Sequence, residues 1–145
     1  MPIPSFRNDG WLPVGHHQAD WAEVIDRFGG EFGSPRWLLT QKLIELRNNL
    51  LSLGVTGYLL LDGSYVSEKS EPGDFDVLLI GPFDIRAVKD RDERLAMLLD
   101  PKYAEQTFGC SFFYIPGNSP ALETLSKLWD LSKEGIAKGI VQVTL

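Results

Sequence analysis

The apolar residues of this 145-residue chain change their period at Gly57. Before it, Leu39, Leu43, Leu46, Leu50 and Leu53 recur every three or four positions, the stripe of an amphipathic helix. After it, Tyr58-Leu59-Leu60-Leu61 and Phe75-Asp76-Val77-Leu78-Leu79-Ile80 are short apolar runs bounded by glycine and proline, which is how buried strands are written. A chain that carries both periods is restricted to folds in which helices cover a sheet.

Punctuation residues fill in the order. Asp20 and Glu23 have capping-box spacing and predict a short helix through Phe28, stopped by Gly29-Gly30. Ser34 caps a long helix with Pro35 at its first position, and Gly54 ends it. One or two helical turns are expected over 64–69, and a turn at Pro72-Gly73. Positions 85, 88, 95, 98 and 99 suit a helix with a mixed-charge outer face. A third strand is expected over 110–115, and a helix from Ser119-Pro120 with Leu122, Leu125, Leu128 and Trp129 on one face. A fourth strand, at the sheet edge, covers 140–145. The reading is an α/β (α+β) fold: a mixed sheet of about four strands with helices packed on it. Residues 1–19, with Pro2, Pro4, Gly10, Pro13 and Gly15, read as an extended arm anchored by Phe6, Trp11 and Leu12. No repeat or linker interrupts the chain, so 1–145 is taken as one domain.

Composition excludes several classes of function. The formal charge is −6, which repels a phosphodiester backbone and makes nucleic acid an unexpected partner, although it stays open as an acceptor. The single cysteine, Cys110, excludes a disulfide within the chain and any cysteine-built metal cage, and it is expected to be buried and inert. Cysteine usage points to a reducing, cytoplasmic setting. No stretch of about 18 apolar residues is present, and Met1-Pro2-Ile3-Pro4 lacks the features of a signal peptide, so no membrane association is expected.

One segment stands apart. Leu61-Asp62-Gly63-Ser64 is followed, after nine intervening residues, by Asp74-Phe75-Asp76-Val77. A strand ending at Gly63 and feeding a helical turn at Ser64 offers backbone N–H groups and a hydroxyl to a phosphate. Asp74 and Asp76, two apart on a strand, present both carboxylates on one face. Asp76 interrupts an apolar run, where a carboxylate is costly unless a cation or donor meets it. Paired carboxylates facing a phosphate suit Mg²⁺ or Mn²⁺, and such a metal serves transfer of a nucleotidyl or phosphoryl group. Lys69, between the two motifs, is either a phosphate contact or a solubilising surface lysine.

Gly63-Ser64-x9-Asp74-Phe75-Asp76-Val77 resembles the signature of polymerase-beta-type nucleotidyltransferases over residues 57–80. Leu12-Pro13-x-Gly15-x-His17, Arg27-Phe28-Gly29, Leu61-Asp62-Gly63-Ser64-Tyr65-Val66 and Lys138-Gly139-Ile140-Val141 are similar to a family of small uncharacterised bacterial and phage proteins regarded as nucleotidyltransferase-like. The resemblance implies a nucleotidyltransferase-like fold, with Gly63 and Ser64 on the triphosphate and Asp74 and Asp76 as catalytic residues and metal ligands. It also implies a third carboxylate on a later strand. The matching strand holds none; Ser111 stands there, and Glu105 is the nearest acid before it.

Two expectations follow. One is an enzyme that binds a nucleoside triphosphate with Mg²⁺ and transfers a nucleotidyl group to a protein, RNA or small molecule, with toxin-antitoxin-like partner modification as the first analogy. The alternative is a catalytically degenerate binding module of the same fold, such as an antitoxin-like partner protein. Elsewhere, His17 is expected to hydrogen-bond the arm rather than bind metal. Arg36, Lys42 and Arg47 are assigned to the solvated face of the long helix, the four tryptophans to core or anchoring roles, and Arg86, Lys89, Arg91 and Arg94 to a charge-balanced surface.

Overall fold

In the computed structural model, residues 3–82 and 93–145 are described. Helix α1 (Trp21–Phe28) begins at the expected capping box: an Asp20 oxygen accepts from the Glu23 N–H at 2.8 Å and the Glu23 carboxylate accepts from the Asp20 N–H at 3.5 Å. Helix α2 (Pro35–Ser52) is capped by the Ser34 hydroxyl, which accepts from the Trp37 N–H at 3.1 Å. Beyond α2, Gly54 takes φ +75, a left-handed conformation that lets the chain leave the helix. The helical stripe read from the sequence buries Leu39, Leu43, Leu46 and Leu50. Each fully buried leucine contributes about 1.5–3 kcal/mol.

Five strands form one sheet: β1 (Gly15–Ala19), β2 (Tyr58–Asp62), β3 (Phe75–Gly81), β4 (Cys110–Pro116) and β5 (Gly139–Thr144), in the spatial order β1-β5-β2-β3-β4. β2 runs antiparallel to both neighbours, while β3/β4 and β1/β5 are parallel pairs. The fold is thus mixed α+β with a five-stranded sheet, not a four-stranded one. The additional strand is β1, which lies in the segment read as an arm. Its sequence, Gly-His-His-Gln-Ala, alternates half-buried and exposed positions at the sheet edge and carries too few apolar residues to announce a strand. The strand expected at the edge is instead interior: β5 lies between β1 and β2, and Ile140, Val141 and Val143 are buried.

Strand alternation divides the core. Leu59, Leu61, Phe75, Val77 and Leu79 face the larger cluster, packed by α1, α2 and two short helices, α3 (Glu93–Leu98) and α4 (Pro101–Phe108). Leu60, Leu78, Ile80, Ile115 and Ile140 face the other way, under Leu122, Leu125 and Trp129 of α5 (Leu122–Trp129). Leu128, expected on the same apolar face, is instead 62% exposed. Of the helix expected between 85 and 99, positions 85–92 lie outside the described residues, as do Arg86, Lys89 and Arg91. Among the described residues no helix is long and apolar enough to cross a membrane.

Candidate functional site

The alternation that sends Leu60 and Leu78 toward α5 sends Asp62 and Asp76 to the same face. Asp62 pairs with Asp76 across β2 and β3, and Asp76 pairs with Ser111 across β3 and β4, so the three make one transverse row. α5 ends at Trp129, short of this row. Residues 131–134 and the N-terminal residues 9–11 border it instead, enclosing a cleft of about 1040 Å³. Gly63, Ser64, Lys69, Asp74 and Asp76, singled out in the sequence, all line this one cleft. Asp74 is exposed just ahead of β3.

Like charge accumulates at Asp76. Burial pushes its carboxyl up to about 6, and the charges of Asp74 and Asp62 add to this; a Ser111 hydrogen bond and the charge of Lys138 pull the other way. Burial also raises Asp62, against the pull of Lys138 and of the Gly63 N–H, which donates to it. A half-buried carboxylate in this field is stabilised by an added cation.

Gly63 is required twice over. Its φ of +86 and ψ of −172 belong to a region open almost only to glycine, and a Cβ there would lie 3.1 Å from Asp76 Oδ2. The helix expected after it is reduced to a single 3-10 turn, Ser64–Val66, because the chain at Ser67 is already extended. The backbone N–H groups read as an anion site belong to this one turn. The turn also carries the Ser64 hydroxyl, which has no hydrogen-bond partner among the described residues, with Lys69 on the same cleft wall.

Arg36 corrects another expectation. It is not a solvated face residue: its guanidinium donates to the carbonyls of Tyr65 at 2.6 Å and Lys69 at 2.6 Å, and also reaches those of Ser64, Ser67 and Phe28. One planar fork thus gathers the carbonyls of the 64–69 loop. Tyr65 anchors the same loop from beneath, its hydroxyl 2.7 Å from Thr40 Oγ1 and its ring within 6 Å of those of Phe28 and Phe75. Arg47 likewise leaves the solvated face, lying over the Trp21 ring at 4.8 Å with a buried Nε.

Lys138 was missed. It is 2% exposed, paired with Asp62, and donates to the Trp129 carbonyl at 3.2 Å. The signal was present: Asp62 ends an apolar run as Asp76 interrupts one, and a carboxylate in that position asks for a cation. Glu105, on α4, is exposed and lines the cleft; Ser111 occupies the position beside Asp76 on the adjacent strand. Cys110 is buried and its thiol is pushed up to about 12 by burial, which makes it a poor nucleophile. His17 donates to the Pro13 carbonyl at 2.6 Å, a structural bond within the N-terminal segment, and His16 lies 3.0 Å from Asp130.

The donor set fits a hard cation. Asp74 and Asp76 offer carboxylate oxygens, and Mg²⁺ is commonly held by one or two carboxylates, completing its shell with water and substrate phosphates. Among the described residues no group of three histidine, cysteine or acidic side chains converges into an all-protein cage.

A model of a family of unknown function, DUF6932, matches residues 4–144. No curated protein and no solved structure matches the chain.

Proposed function

The chain belongs to DUF6932, a family of unknown function, and from the chemistry of its cleft we propose a nucleotidyltransferase-like protein that binds a nucleoside triphosphate with Mg²⁺ or Mn²⁺. The observation that carries this reading is the convergence on one cleft of the Gly63-Ser64 turn, Lys69 and the Asp74/Asp76 pair. A carboxylate held at about 6 by burial and two like charges is a group in need of a cation. Asp74 and Asp76 hold the ion. Bound there, it neutralises phosphate charge and aligns the attacking and leaving oxygens.

The chain's own groups supply the rest. The Ser64 hydroxyl donates to a phosphate oxygen, Lys69 adds a positive charge at the rim, and Gly63 permits close approach beside Asp76. Arg36 occupies the loop carbonyls of Tyr65 and Lys69 and so holds the loop that carries Ser64 and Lys69. In the transfer, an acceptor hydroxyl oxygen forms a bond to the α-phosphorus as the bond to pyrophosphate breaks, and the hydroxyl proton passes to solvent. The acceptor is a protein, an RNA end or a small molecule, with a partner protein tested first.

A second reading is favoured by Ser111. With a hydroxyl in register with Asp76 where the resemblance implies an acid, the fold serves ligand binding without turnover. Incubation with each α-labelled nucleoside triphosphate, Mg²⁺ or Mn²⁺ and cell lysate separates the two. Label transfer by the wild type and not by Asp74→Ala/Asp76→Ala supports the enzyme. Metal-dependent nucleotide binding without transfer supports the binding module, and absence of both defeats the proposal.

A further inference from the structure

The charge around Asp76 is not all of one sign. Lys138 directly precedes β5 and is among the residues that line the cleft of Asp74 and Asp76, and its charge reaches Asp76. Asp62 and the Trp129 carbonyl take two of its three donors, and the Trp11 ring centroid lies 5.3 Å away. Stability is a poor reason for such a pair, because a buried ion pair is commonly matched or exceeded by apolar residues of the same shape. What the pair does achieve is to fix one positive charge beside an acidic pair, in a position that does not depend on a bound ion.

The carboxylates point the same way. Two-metal sites need bridging acids plus a further ligand for the second ion. Here the strand beside Asp76 offers Ser111, and Asp62, the remaining acid of the row, is taken by Lys138. Glu105 and Glu134 also line the cleft, but among the described residues no third acidic, histidine or cysteine side chain joins Asp74 and Asp76 in a metal-holding group, and these two are left as the open pair. Asp76 and the three charged groups that act on it, Asp62, Asp74 and Lys138, together leave two negative charges, which a single divalent ion balances.

We propose that this cleft takes one divalent cation and not two, and that Lys138, positioned by Asp62, is the resident second positive charge for the phosphates. The inference rests on the triphosphate reading above. Asp62 is a positioning residue in it: its carboxylate holds the ammonium and is not a metal ligand.

The test is an electron paramagnetic resonance titration of the full chain with Mn²⁺ and a non-hydrolysable nucleoside triphosphate, which counts bound ions without turnover. One Mn²⁺ per chain is expected. Lys138→Met is expected to weaken Mn²⁺–triphosphate binding by tenfold or more. The paired variant Asp62→Asn/Lys138→Met leaves no lone buried charge, so it keeps the fold even where the single variant does not, and the same loss is expected. Two Mn²⁺ on the wild type, or undiminished triphosphate binding in the paired variant, overturns the inference and leaves the nucleotide reading standing. No Mn²⁺ bound to the wild type with triphosphate present defeats that reading and this inference with it.

Discussion

Asp62 and Asp76 are cross-strand partners on adjacent antiparallel strands, and Lys138 pairs with only the first of them. Like charges directly opposite one another destabilise a sheet, so the row is a local weakness in an otherwise apolar β2/β3 pair. Its geometry makes the response to charge removal asymmetric.

Removing Lys138 alone strands a buried carboxylate. Lys138→Met is expected to lower stability by about 3–5 kcal/mol, whereas Asp62→Asn/Lys138→Met recovers most of that loss. Urea denaturation of the wild type, both single variants and the paired variant closes the cycle. Additive losses would show that the two side chains do not interact.

The Asp76 carboxyl gives a pH signature. Its folded value of about 6 lies above the ordinary 3.8, so between these values the folded chain binds the proton more tightly than the unfolded chain does. Without divalent metal, this group's contribution to stability therefore falls as pH rises through that window and is level above it. Asp76→Asn is expected to remove this slope and, allowing for solvent screening, to be more stable at neutral pH by about 1–2 kcal/mol. Thermal melts across pH, wild type against variant, measure the difference. Saturating Mg²⁺ is expected to raise the melting temperature of the wild type alone.

Gly63→Ala places a methyl group 3.1 Å from an Asp76 oxygen in a backbone region that alanine avoids. A loss of about 1–3 kcal/mol is expected. Because the turn must shift away from Asp76, metal-dependent triphosphate binding is expected to fall as well, read by calorimetry on the folded fraction. An unchanged variant on both counts would refute the close approach.

Arg36→Lys keeps the charge and loses the fork. A lysine cannot serve the carbonyls of Ser64, Tyr65, Ser67 and Lys69 together, so destabilisation of about 2–3 kcal/mol is expected. Hydrogen exchange distinguishes this from a general loss: amides over 64–69 are expected to exchange faster while those of β3 keep their relative protection.

Much of this architecture is legible in the residues. α1, α2, β2, β3 and β4 follow from caps, periods and Gly/Pro boundaries, because each is specified by neighbours a few positions away. β1 was hidden since Gly15–Ala19 becomes a strand only by pairing with residues more than a hundred positions later. The same cause hid the interior place of β5, which is a property of the sheet and not of its own sequence. In the site, spacing alone suggested Asp74, Asp76, Gly63 and Ser64 as neighbours. Arg36 and Lys138 escaped because a helix-face position and a lysine before a strand look like solvated charge until the 64–69 loop and Asp62 arrive beside them.

The central place of β5 has a consequence for how a ribosome would deliver this chain. Every other strand emerges first, and until residues 139–144 follow, β1 and β2 have no strand to join them. Both would then present unpaired edges, the surfaces through which nascent chains associate wrongly. Lys138 emerges immediately ahead of β5, so the cleft gains its buried ammonium in the same late event that closes the sheet. Closure of the sheet and assembly of the site therefore coincide, and a chain stalled before residue 138 would carry the acidic row without its counter-charge.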